Sequence, residues 1–113
     1  MKTETVELRE NEQILRQQKG DTWKTPEMIM RKQVSGTFTF TNQRICFRTW
    51  GPFKSSAKYD IEYADIASIQ DYSINVVIKT GIEITTKNQK TYKISVWKRN
   101  EVKELINSYI LNS

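Results

Sequence analysis

The chain has no histidine and one cysteine, Cys46, among its 113 residues. Without an imidazole there is no ready general base near neutral pH, and nothing to activate a lone thiol. Zinc and transition-metal sites built on several Cys and His ligands are excluded for the same reason. A single cysteine cannot close an internal disulfide, which agrees with a reducing compartment. The four glycines are scattered, so no loop among them is built to cradle phosphate. Carboxylates are present, but no local spacing marks an acid–base pair. The chain therefore reads as non-catalytic, with neither cofactor nor metal. No apolar run approaches the roughly 20 residues that span a bilayer. Met1 to Glu7 is mixed and acidic, with no apolar signal region. These features read as a cytoplasmic protein that could sit at the periphery of a membrane.

Acids are missing from one long stretch. Between Arg31 and Lys58 there is no Asp or Glu, while Arg31, Lys32, Arg44, Arg48, Lys54 and Lys58 all fall there. Those six cations exceed the net charge of +5 of the whole chain, so the remainder is close to neutral. Such an excess concentrates anionic partners, or is simply the solvated face of a basic protein.

What is present reads as one domain over residues 1–113, long enough for a single core and too short for two. The stretch Gln33 to Thr49 organises it. Val34, Phe38 and Phe40 share one face with Gly36, and Ser35, Thr37, Thr39 and Thr41 take the other. That is the two-residue period of a half-buried strand. Thr41-Asn42-Gln43 breaks it, with Asn42 suited to a tight turn. A second arm follows, Ile45 and Phe47 on the greasy side and Arg44, Cys46 and Arg48 on the polar, basic side. A lone hairpin is marginal in water, so further strands must cover the greasy face.

Ahead of it, Gln13–Lys19 reads as a first strand, poor in apolar anchors and hence at an edge or partly exposed. Gly20–Lys32 is irregular and carries Trp23, Met28, Ile29 and Met30 among Lys24, Arg31 and Lys32. That mixture suits an interfacial loop, or the Met28–Met30 run continues into the core. Trp50-Gly51-Pro52-Phe53-Lys54-Ser55-Ser56 is a loop whose two aromatics either staple the sheet or touch a partner. Lys58–Tyr63 alternates again. Tyr63, Ile66 and Ile69 sit three apart, which predicts one short turn capped by Asp65. Ala67–Asn75 resumes as strand, followed by the β-branched run Val76-Val77-Ile78. Gly81–Thr86 and Thr91–Val96 make a second hairpin around Asn88. Val102, Leu105, Ile106, Tyr109 and Ile110 fall on one helical stripe, with Asn100 as the expected N-cap. Roughly seven antiparallel strands and one amphipathic helix result.

At this point a resemblance is visible. Gly36-x-Phe38-x-Phe40-Thr41-Asn42-Gln43-Arg44-Ile45-x-Phe47, then Tyr63-Ala64-Asp65-Ile66-Ala67-Ser68-Ile69, then Gly81–Thr86 with Tyr92-x-Ile94, then the terminal helix, resemble in order the signatures of a GRAM domain, and the chain is similar to small bacterial pleckstrin-homology (PH)-like proteins. The resemblance covers about residues 8–111. It implies a mainly β fold: a strongly bent seven-stranded antiparallel sheet or barrel, plugged by the C-terminal helix. It also implies a module that binds phosphoinositides, other anionic lipids or protein segments. In lipid binders of this kind the loops after the first, third and sixth strands gather at one open end. Here those loops hold Lys19, Lys24, Arg31, Lys32, Lys54, Lys58, Lys87 and Lys90, with Trp23, Trp50 and Phe53 beside them. The Lys/Arg-x-Arg usual in the second strand is absent from Val34–Phe38, which favours loose attraction to an anionic surface over inositol-phosphate recognition. Two readings lead: a protein-interaction or assembly module, homo-oligomers included, that also associates with anionic membrane surfaces; and a peripheral membrane module that binds anionic lipid. Nucleic acid ranks last, resting only on bases interleaved with aromatics.

Overall fold

A computed structural model describes residues 6–23, 34–49, 58–72 and 80–111. Seven strands follow in chain order: β1 (Ile14–Trp23), β2 (Val34–Thr41), β3 (Arg44–Thr49), β4 (Lys58–Glu62), β5 (Ile66–Tyr72), β6 (Gly81–Thr86) and β7 (Thr91–Val96). A 3-10 turn, Tyr63–Asp65, joins β4 to β5, and the helix α1 (Arg99–Leu111) follows β7. The strands form one antiparallel sheet in the order β4-β3-β2-β1-β7-β6-β5. It is strongly bent and left open, with β4 and β5 at its two edges.

The greasy faces meet as their alternation requires. Phe38, Phe40, Ile45, Phe47, Ile82, Ile84 and Ile94 are fully buried, together with Val102 and Ile106 of the helix. A chain of rings runs through this core: Phe38–Phe47 at 4.9 Å, Phe47–Tyr59 at 5.4 Å and Tyr59–Tyr92 at 4.8 Å between centroids. Each fully buried ring contributes on the order of 2–3 kcal/mol by burial. Leu105, Tyr109 and Ile110 complete the helix stripe against the core, and Tyr109 stacks on Tyr63 at 5.0 Å. The Tyr63 hydroxyl donates to the Thr41 carbonyl at 2.8 Å, so the ring is polar only where it is satisfied.

β1 is partly exposed, as its sequence allows, but it is not an edge strand. It is the longest strand, four residues longer at its end than expected, and lies between β2 and β7. Its alternation is hidden because its core-facing set is polar or small. Arg16 bonds Gln18 and Glu101, and Gln18 donates to the Trp97 carbonyl at 2.9 Å, so these two side chains tie the strand to the start of the helix. Next along that face, Gly20 pairs with Gly36 on one side and Val96 on the other. A methyl group at Gly20 would meet the Phe38 ring at 2.7 Å, and one at Gly36 would meet the Arg48 carbonyl at 2.4 Å. At both glycines the neighbouring strands of the same sheet leave no room for a side chain.

Smaller differences have local causes. α1 begins at Arg99, so Asn100 lies inside the first turn; Lys98, at φ 58°, precedes the helix and its carbonyl accepts from Val102 N. Asp65 serves through its main chain, its carbonyl accepting from Lys87 N at 2.8 Å. β5 starts at Ile66 and slips register before Ser68.

Candidate functional site

The outer face of β2 and β3 carries the hydroxyls and bases that the alternation turned away from the core. It is nevertheless buried: Thr39, Thr41, Arg44, Cys46 and Arg48 are all covered. The bases are spent on carboxylates from outside the acid-free stretch. Arg44 Nε and Nη2 donate to Glu12 at 2.8 and 3.0 Å, and Arg44 Nη1 donates to Asp60 at 2.9 Å. Arg48 Nη1 donates to the other Asp60 oxygen at 2.8 Å and to the Phe47 carbonyl at 2.9 Å. Two cations thus face two carboxylates in a neutral cluster. A buried pair of this kind adds little net stability, but removing one partner costs about 3–5 kcal/mol because the other is left uncompensated.

The Arg44 fork, with help from Arg9 N and Thr41, holds the Glu12 carboxyl down from 4.5 to about 2 despite its burial. Glu12 in turn raises Arg44 further. Burial alone would lift Asp60; the Arg48 bond and charge outweigh it, and its carboxyl stays below the usual range. Cys46, paired across the strands with Asp60, is pushed up to about 12 by burial and by that neighbouring carboxylate. It is an inert strand residue, not a nucleophile.

Glu12 arrives on an N-terminal arm, residues 6–13, that lies across the β2–β3 turn. Arg9 makes a two-pronged pair with Glu62 at 2.6 and 2.7 Å. Asn42 exchanges bonds with Gln13 at 2.8 and 3.1 Å and donates to the Asn11 carbonyl, and Gln43 donates to the Glu10 carbonyl. The role of Asn42 is thus twofold: it makes the turn and grips the arm. Neither Glu12 nor Arg9 could be picked from the sequence, since their partners lie 32 and 53 residues away.

The expected anion-binding residues are distributed as follows. Lys87 and Lys90 share the exposed β6–β7 turn. Lys58 opens β4 opposite Arg48, exposed. Lys19 lies inside β1 opposite Thr37, because the strand runs past it. Trp23 is the last residue of β1. Its side chain and Lys24, Arg31, Lys32, Lys54, Trp50, Phe53 and the Met28–Met30 and Val76–Ile78 runs lie outside the described residues. By register, β1 leaves the sheet where β2 enters it (Thr22 opposite Val34), and β3 ends opposite Gly36, so those two connections start from one rim.

A residue not singled out by motif is the most exposed large apolar side chain among those described. Trp97 is 73% exposed, where β7 gives way to the helix. The signal was available: Tyr92, Ile94 and Val96 point inward, so position 97 falls on the outward phase. Beside it runs a groove of about 320 Å³ lined by Lys19, Asp21, Thr80 and Ser95. Asp21 accepts from Ser35 at 2.6 Å, and the Thr80 and Ser95 hydroxyls stand 2.6 Å apart.

A strongly bent seven-stranded antiparallel sheet with one C-terminal helix packed on it is a PH-like fold. The family model for bacterial PH domains matches residues 8–109, and the chain belongs to that family. Solved structures agree on the fold. The C-terminal domain of an unknown protein from Leishmania infantum is 19% identical, with a TM-score of 0.70 over 90% of this chain and 87% of that one. The N-terminal PH domain of Vps36 is 16% identical, with a TM-score of 0.68 over 94% and 86%. The DH/PH domains of p115-RhoGEF are 8% identical, with a TM-score of 0.59 over 88% of this chain and 30% of that one. A search of curated proteins returned no match. PH-like domains are in general non-catalytic modules that bind proteins or lipids. No described helix is long and apolar enough to cross a membrane.

Proposed function

We propose that this PH-like domain, of GRAM type by its hairpin and Tyr63–Ile69 signatures, is a cytoplasmic, non-catalytic protein-interaction or assembly module. Trp97 carries the reading. An indole left 73% exposed at a strand–helix junction is the kind of anchor that interfaces bury. Its groove is of mixed sign, Lys19 against Asp21, which suits a protein surface better than a uniformly anionic bilayer. Leu8, Ile14 and Leu15 are exposed as well. The acid-free stretch favours lipid less than its composition suggests, because Arg44 and Arg48 are consumed by internal pairs.

The lipid alternative keeps one observation in its favour, the exposed Lys87 and Lys90 in a single tight turn. One experiment separates the two. A photo-crosslinking amino acid placed at position 97 should yield a discrete protein adduct in cells that express the chain, and that protein should co-purify with the wild type and not with Trp97→Ser. No adduct, together with sedimentation on anionic but not neutral vesicles that Lys87→Glu/Lys90→Glu removes, would reverse the order of the two readings.

A further inference from the structure

We propose that the β2–β3 hairpin carries a binding site for an extended acidic polypeptide segment, and that the chain's own arm, residues 6–13, occupies it as a built-in competitor. The inference goes beyond the reading based on Trp97 and uses neither that residue nor the groove beside it.

The arm is held as a bound peptide is held. Its main chain is read at four carbonyls: Glu7 by Arg44, Glu10 by Gln43, Asn11 and Gln13 by Asn42. Its sequence is read at two side chains. Glu12 fills a fork made by Arg44 and the Thr41 hydroxyl, at 2.7 Å, and Arg9 fits Glu62. The Glu12 side chain is wholly buried and Arg44 is 7% exposed, so the fork is a built site and not a surface encounter.

Nothing apolar anchors the arm in return. Leu8 is exposed and Val6 only half-buried. Every named contact is a hydrogen bond or ion pair that water, or another segment, can replace. The receiving side is of the opposite character. Arg44, Arg48 and Asp60 sit on β3 and β4, paired in the sheet around a packed core. If the arm lifts, the seat keeps its shape and holds two guanidiniums against one carboxylate, with an empty fork for an anion. The arm belongs to the part of the molecule that opens locally, and the seat to the part that does not. A segment with glutamate three residues after an arginine reproduces both side-chain contacts.

The test uses the full chain and a fluorescent peptide of residues 6–13 added in trans. Glu12→Gln weakens the internal competitor, so the variant should bind the peptide at least tenfold more tightly than the wild type. A peptide with glutamine in place of its glutamate should lose that gain, as should the chain carrying both Glu12→Gln and Arg44→Lys. Equal affinities in folded wild type and Glu12→Gln would overturn the proposal. So would inorganic phosphate displacing the peptide as well as unlabelled peptide does, which would make the seat a bare anion site. Should Glu12→Gln not fold, hydrogen exchange on the wild type decides. Amides of Arg9, Glu12 and Gln13 should exchange about a hundredfold faster than those of Phe38 and Phe47. Equal protection would mean that the seat never opens short of unfolding.

Discussion

Glu12 sits against one guanidinium, one hydroxyl and one amide, and its acidity follows from them. Its carboxyl lies at about 2 in the folded chain against 4.5 when free. The folded value is the lower one, so its stabilisation is complete above about 4.5 and is lost as the pH falls toward 2. The size is on the order of 3 kcal/mol. Urea titrations between pH 6 and pH 2 should show the wild type losing stability over that window, and Glu12→Gln should lack that share of the slope. Identical profiles would mean that the Arg44 bond does not hold the proton off. At this scale the sequence was legible on one face only. Phe38, Phe40, Ile45 and Phe47 could be assigned to the core by alternation. Arg44 and Arg48 could not be assigned to burial, because alternation says which side a residue faces and not what comes to cover that side.

Among the elements, the two hairpins and the helix stripe stand where periodicity placed them, since each depends on neighbours a few residues apart. β1 does not. A polar inward set, Arg16 and Gln18 reaching the helix and Gly20 clearing Phe38, looks like a weak edge strand until its partners are known. The Gly20–Gly36 rung is accordingly a sensitive place in the sheet. Gly36→Ala sets a methyl 2.4 Å from a carbonyl oxygen in the paired strand. Backbone cannot yield as a flexible side chain would, so the cost should be about 1–3 kcal/mol or more. Ser35→Ala, one residue away on the exposed side, loses a single surface bond to Asp21 and should stay within about 0.5 kcal/mol. Thermal melts of the two variants that moved equally would show that the rung has slack.

For the molecule as a whole, α1 is part of the same core as the strands: Val102 and Ile106 are as buried as Phe38. Helix and sheet should therefore unfold together. Ile106→Ala should cost about 2–4 kcal/mol and shift far-ultraviolet circular dichroism and tryptophan fluorescence by the same amount. A helix signal that melts first would show α1 to be a separable lid. By itself, the amino-acid sequence determined the mainly β class of the fold and the apolar membership of the core, since these follow from local period. Only the tertiary structure decided that β1 is central and that Arg44 and Arg48 are neutralised within. Those outcomes depend on which distant segment comes to lie against each residue, and no spacing along the chain records it.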